Sequence, residues 1–261
     1  MGINTPLADY DWHAALAALA WQVDLGVAEF SVDDPIDRYA LPEKLEPIVA
    51  RFKAAAIAPA PANPAQDAIA AATHAANACQ TLDDVRAALT AFDLCDLKKG
   101  TRGLVFADGT PGALMVIGNP PTREEEGEGR PFTGPAGSLL DKMLAAIGHE
   151  RSSNNPATSA YLAAALPWRI PGDNDPGDAD IAMLRPFLLR HIALAKPRVI
   201  IAMGAAPCRV VLGQNPPRGV WTDVAGIPVM PMQHPTNLFK SPAAKRDAWA
   251  HLLAVKARLA Q

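Results

Sequence analysis

The chain has 261 residues, 49% of them hydrophobic, and a formal net charge of −3 at neutral pH. That length and apolar share suffice to bury one sizeable core and leave material for a small extra segment. No apolar run approaches the roughly 18 to 20 residues of a membrane span, and the opening MGINTPLADYDW lacks the basic-then-apolar plan of a signal peptide.

In chain order, Asp11 to Leu25 reads as a helix, with Trp12, Leu16 and Leu19 spaced at three and four. It is expected to pack on the main domain or on a protein partner. Residues 54–65 (AAAIAPAPANPA) concentrate Ala and Pro and read as an extended linker. The expected organisation is therefore an N-terminal helical extension over 1–53, a linker over 54–65 and a main domain over 66–261. A second helical stretch runs from Gln66 to Phe92. Beyond Gly112, strand-length apolar runs at Ala113–Ile117, Tyr161–Leu166, Val199–Met203 and Ile227–Pro231 alternate with helical patterns at Ser138–Ile147, Asp178–Leu194, Ala205–Leu212 and Pro242–Leu259. That alternation predicts an α/β fold of three layers, αβα, around a central, mostly parallel four-stranded sheet. Ligands of such sheets bind beyond the carboxyl ends of the strands, here just after Ile117, Leu166 and Pro231.

Charge is split along the chain. Residues 181–261 carry +9 and the first 180 carry −12. A basic face toward a polyanion is one reading of that asymmetry; solvated helix faces are the other. The cysteines, Cys79, Cys95 and Cys208, form neither a CxxC pair nor an even set, which fits a reducing, cytoplasmic setting.

After the first predicted strand comes GNPPTREEEGEGRPFTGPAGSLLDKMLAAIG, residues 118–148. This stretch resembles the uracil-DNA glycosylases of the iron–sulfur class. Their G-E-A-P-G-x-x-E-D loop is followed at fixed distance by G-R-P-F-V-G-x-A-G-x-L-L-D. Residues 161–176 (YLAAALPWRIPGDNDP) resemble the same family's Y-I-T-N-V loop, and residues 232–245 (MQHPTNLFKSPAAK) its closing H-P-x-x-L motif.

The resemblance implies a base flipped out of the DNA stack and held in a pocket. Gly118, Pro120, Phe132 and Ala164 would line it, with Phe132 stacking on the base or serving as plain core. His234 would donate a hydrogen bond to the O2 of the departing base, stabilising the charge that grows there. Pro235 would stiffen the turn. Leu238 reads either as a wedge filling the gap left by the flipped nucleotide or as a packed loop leucine. Arg130, Arg169 and Lys245 complete the expected DNA contacts.

The sequence departs from the family at four places. The cluster cysteines align with Phe92, Cys95, Trp168 and Leu184, and one thiol holds no cluster; no metal or other cofactor is expected, and the vacated volume should be filled by an apolar plug. The acidic residue after the motif's first glycine is Asn119, while Glu125 keeps the second acidic position. The asparagine that reads the uracil edge becomes Ala164, and a later asparagine becomes Asp173 beside Asn174.

The expected function is a monofunctional glycosylase acting with water on uracil or another deaminated base in single- or double-stranded DNA, with Asn119, Glu125 and His234 as its catalytic set. The alternative is a catalytically reduced relative that binds lesions or abasic sites.

Overall fold

The computed structural model describes residues 64–261, together with Leu16, Ala17, Ala20 and Trp21, which are helical. The chain divides into two units, Met1–Ala60 and Pro61–Gln261. The first element whose bounds are defined begins at Pro64, which corrects the expectation of a defined N-terminal helical extension. The remainder of the helix read over Asp11–Leu25, the linker over 54–63 and the partner contact expected of the N-terminal segment lie outside the described residues.

Three helices come first: α1 (Pro64–Ala78), α2 (Leu82–Ala91) and α3 (Asp96–Lys99). The sequence reading joined α1 and α2 into one helix. They are separated because Thr81 takes an extended backbone and forms a reciprocal capping box with Asp84, which starts a new helix.

The strands are β1 (Ala107–Asp108), β2 (Leu114–Gly118), β3 (Ala160–Ala164), β4 (Val199–Met203), β5 (Thr222–Val224) and β6 (Ile227–Met232). They form one six-stranded sheet in the order β1-β3-β2-β4-β6-β5. The expected four strands are its parallel interior. The four-stranded sheet is corrected by two antiparallel edge strands, β1 on β3 and β5 on β6. These edges were missed because two and three half-exposed residues are too short for any periodicity to register.

Between the strands lie α4 (Arg123–Glu128), α5 (Gly134–Ala146), α6 (Asp178–Ala195) and α7 (Ala205–Leu212), and after β6 come α8 (Pro235–Leu238) and α9 (Pro242–Leu259). Alternate residues of each inner strand face opposite layers. Met115 and Ile117 of β2, Tyr161 and Ala163 of β3, and Ile200 and Ala202 of β4 share one buried cluster with residues of α1, α2, α6 and α7. Leu114, Val116, Leu162, Val199 and Ile201 share the other with residues of α5, α8 and α9. The sheet is thus covered on both faces. Among the described residues no helix is long and apolar enough to cross a membrane.

Strand order reverses between β2 and β4. In an open α/β sheet this switch point opens a crevice beyond the carboxyl ends of the strands, and it is where Asn119 leaves β2 and Gly204 leaves β4.

Candidate active site at the carboxyl end of the sheet

A cavity of about 220 Å³ occupies this crevice, and its lining brings together residues that are up to 118 positions apart. Gly118, Asn119 and Pro120 enter from the end of β2, Glu125 from α4, Phe132 from the following loop, Ala164 from the end of β3, Ala206 from the start of α7 and His234 from the end of β6. Nine residues singled out from sequence therefore meet: Gly118, Asn119, Pro120, Glu125, Phe132, Ala164, Asp173, Asn174 and His234. Gly118 and Ala164 are direct neighbours in the β2–β3 ladder.

Phe132 is the centre of the wall. Its ring stacks on His234 with centroids 5.7 Å apart and an interplanar angle of 16°. A Cβ at Gly118 would come within 2.4 Å of that ring, so glycine at 118 is what lets the aromatic lie over the strand end. Phe132 is a buried member of a core cluster and also lines the cavity.

The backbone of Phe132 sits at φ +55°, a left-handed conformation that is costly for a bulky side chain. Three groups hold it there. The Glu125 carboxylate accepts the Phe132 N–H through Oε1 and the Thr122 N–H through Oε2. Arg151 donates to the Phe132 carbonyl oxygen at 3.1 Å and is itself gripped by Asp141 and Asp108. Gly137 admits that carbonyl, since a Cβ there would come within 1.8 Å of the Phe132 oxygen. Glu125 thus acts on the cavity by positioning Phe132, with both oxygens occupied by backbone donors.

His234 caps α8. Its Nδ1 lies 2.9 Å from the Thr236 hydroxyl and accepts the Thr236 backbone N–H at 3.4 Å. An Nδ1 that accepts places the proton of the neutral ring on Nε2. Burial pushes the imidazole down to about 4, so the ring is neutral at physiological pH.

Asn119 packs against the chain reversal after β4. Gly204, at φ +118°, would carry a Cβ 2.3 Å from the Asn119 Oδ1, so the absence of a side chain there makes room for the amide. The remaining lining includes Asp173, Asn174 and Asp175 from the loop that follows β3.

The residues expected to contact DNA do not line the cavity. Arg130 is half exposed and pairs with Glu128 at 2.8 Å, Arg169 pairs with Asp173 at 2.9 Å, and Lys245 is exposed in the first turns of α9. Pro235 is buried at the start of α8. Leu238 is 1% exposed and belongs to a core cluster, whereas its neighbour Phe239 is 53% exposed. Of the two readings of Leu238, the structure supports the packed one. Arg151, Gly204 and Phe239 were missed from sequence. Only Arg151 had a signal, as a cation ten residues beyond the motif carboxylate Asp141.

The positions that the resemblance assigns to cluster cysteines are Phe92, Cys95, Trp168 and Leu184, all buried and all members of one apolar cluster. Three side chains with no metal-donor atom and one thiol do not fit an iron–sulfur group. Among the described residues no group of three or more His, Cys, Asp and Glu stands together as a metal site.

Residues 108–253, more than half of the chain, match the uracil DNA glycosylase superfamily. The chain is similar to the type-4 uracil-DNA glycosylase of Archaeoglobus fulgidus, 32% identical over 126 residues that make up 48% of this chain and 60% of the relative. With the type-4 enzyme of Sulfurisphaera tokodaii identity is 29% over 140 residues, 52% of this chain and 61% of the relative. With that of Thermotoga maritima it is 32% over 112 residues, 42% and 55%. The chain spans about three fifths of the length of the first of these relatives.

Proposed function

Because the chain belongs to the uracil-DNA glycosylase superfamily and is related to its type-4 class, we propose that it is a monofunctional DNA glycosylase, hydrolysing the N-glycosidic bond of uracil or another deaminated base in DNA. The observation that carries this reading is the Phe132–His234 pair, stacked at the wall of a cavity that opens at the sheet's switch point.

In this reading the flipped base enters the cavity and rests against Phe132. Base–aromatic stacking of this kind contributes about 1 to 3 kcal/mol. His234 uses the nitrogen that Thr236 leaves free: Nε2–H donates to the base as the bond to the sugar breaks and electrons pass to the ring. A neutral donor fixed in place stabilises that charge without having to reorganise. Asn119 orients the attacking water. Its amide supplies no negative charge to the oxocarbenium-like sugar, so the step is slower than with a carboxylate. Arg130, Arg169 and Lys245 meet phosphates around the mouth, and Phe239, exposed beside the buried Leu238, fills the gap in the duplex. The three free, buried cysteines suit the reducing cytoplasm we propose as its location.

A second reading is favoured by one observation. Ala164, at the position that would read the base edge, offers no side-chain donor or acceptor, which fits a relative that binds lesions or abasic sites without excising a base.

Excision from labelled oligonucleotides, with abasic sites revealed by alkali and His234→Ala as control, separates the two. Product that vanishes in the variant supports the glycosylase. No product from any substrate, with salt-sensitive binding retained, supports the binding protein.

A further inference from the structure

The solvent side of α9 carries a pattern that the cavity does not use. The helix buries Ala248, Leu252 and Val255 against the sheet. Its other side presents Lys245, Trp249, Leu253 and Lys256, spaced at four, four and three, so that they form one stripe along the helix. Trp249 is 45% and Leu253 46% exposed, and Arg246 is exposed at the border of the stripe. Asp247, the one carboxylate of α9, is two residues from Lys245 and from Trp249, which turns it about 200° around the helix and away from the stripe. Lys245, Arg246 and Lys256 have no carboxylate partner among the described residues.

Cations interleaved with an exposed aromatic suit a single nucleic-acid strand, whose phosphates meet the cations while a base stacks on the ring. The stripe also starts close to the cavity. α9 begins at Pro242, eight residues beyond His234, and the exposed Phe239 and Lys240 lie between them. Lys245 and Lys256 are then about 16 Å apart along the axis, the reach of a few nucleotides. A lipid surface fits less well, because two apolar side chains among cations offer little area to insert and the apolar face of α9 is already in the core. A protein partner would have to neutralise three unpaired cations, which a polyanion does at once. Stacking on Trp249 needs an unpaired base, so a closed duplex cannot make the same contact.

Resting on DNA as the ligand of the cavity, we propose that α9 is a track for an unpaired strand leaving it, with Trp249 the platform for one base and Lys245, Arg246 and Lys256 meeting phosphates. The test follows binding of the full chain, by fluorescence anisotropy, to an undamaged oligo(dT) of about 20 nucleotides and to the matching blunt duplex. Trp249→Ala should weaken single-strand binding at least about fivefold, alter duplex binding by less than about twofold, and leave the melting temperature unchanged. The strand should quench tryptophan emission of the wild type, and Trp249→Phe should lose that quench while keeping most of the affinity. Lys256→Ala should lower the slope of log Kd against log salt by about 0.7, the share of one phosphate on a single strand. Single-strand binding that is absent or indifferent to Trp249→Ala overturns the track, as does a variant whose loss is instead of self-association or of adhesion to anionic vesicles. Uracil excision assayed alongside keeps the two readings apart. Excision with binding indifferent to Trp249 leaves the glycosylase without the track; Trp249-dependent binding with no excision leaves the track without the glycosylase.

Discussion

Arg151 donates to the carbonyl oxygen of Phe132 at 3.1 Å while its Nε is held by Asp141 at 2.7 Å and its Nη1 by Asp108 at 3.0 Å. An arginine fixed by two carboxylates is a rigid donor, and it secures the residue whose backbone is left-handed and whose ring forms the cavity wall.

Replacing Arg151 by Ala frees that loop. The expected effect is a loss of about 1 to 3 kcal/mol of stability, the range for hydrogen bonds to a charged group, and a larger loss in excision as Phe132 relaxes out of φ +55°. Arg151→Lys should recover little, since one ammonium cannot reproduce the fork. Urea unfolding alongside single-turnover excision checks both; wild-type rates in the Ala variant would count against the clamp.

His234→Ala should lower excision by about 10² to 10³ and leave DNA affinity within a few-fold, because the lost donor acts mainly on developing charge. With its imidazole pushed down to about 4 by burial, His234 stays neutral through the physiological range. The pH–rate profile should therefore show no inflection from this residue between about pH 5.5 and 8. An acid limb near the usual histidine value, lost in the variant, is the outcome that would contradict the neutral ring assigned to it.

Leu238 and Phe239 should separate cleanly. Leu238→Ala removes a buried core side chain and should cost about 2 to 5 kcal/mol of stability. Phe239→Ala removes an exposed ring and should leave the melting temperature unchanged while slowing excision from duplex more than from single-stranded DNA. Paired thermal melts and excision assays on both substrates decide it.

His191 is buried against Phe106, with rings 4.3 Å apart, and its Nε2 lies 2.8 Å from the Tyr161 hydroxyl. Burial lowers the imidazole to about 3 and raises the phenol above its ordinary value. Since the folded value for histidine lies below the unfolded value of about 6.5, the unfolded chain binds more protons in between. Stability from the neutral ring is complete above about pH 6.5 and declines as pH falls toward 3. A melting temperature that drops across this window, with a shallower drop in His191→Gln, is the expected result.

Much of the site was legible before the fold. The glycine-rich motif, the His-Pro turn and the placement of the cavity beyond the inner strands follow from residue types at fixed spacing, because a tight turn tolerates few side chains. The parallel interior of the sheet was legible for a similar reason: its strands are apolar on both faces, and runs of that kind are hard to mistake.

What the sequence by itself determined is the set of local requirements: where strands and helices alternate, which glycines sit at the strand ends, and which side chains are candidates for chemistry. Tertiary structure alone decided how those requirements are met. It added edge strands too short to have a pattern, buried Leu238 and exposed Phe239, and brought Arg151 onto the Phe132 carbonyl across 19 positions of chain. Local conformation depends on neighbours along the chain, whereas burial, the electrostatics of a cavity wall and the partner of a carbonyl oxygen depend on neighbours in space.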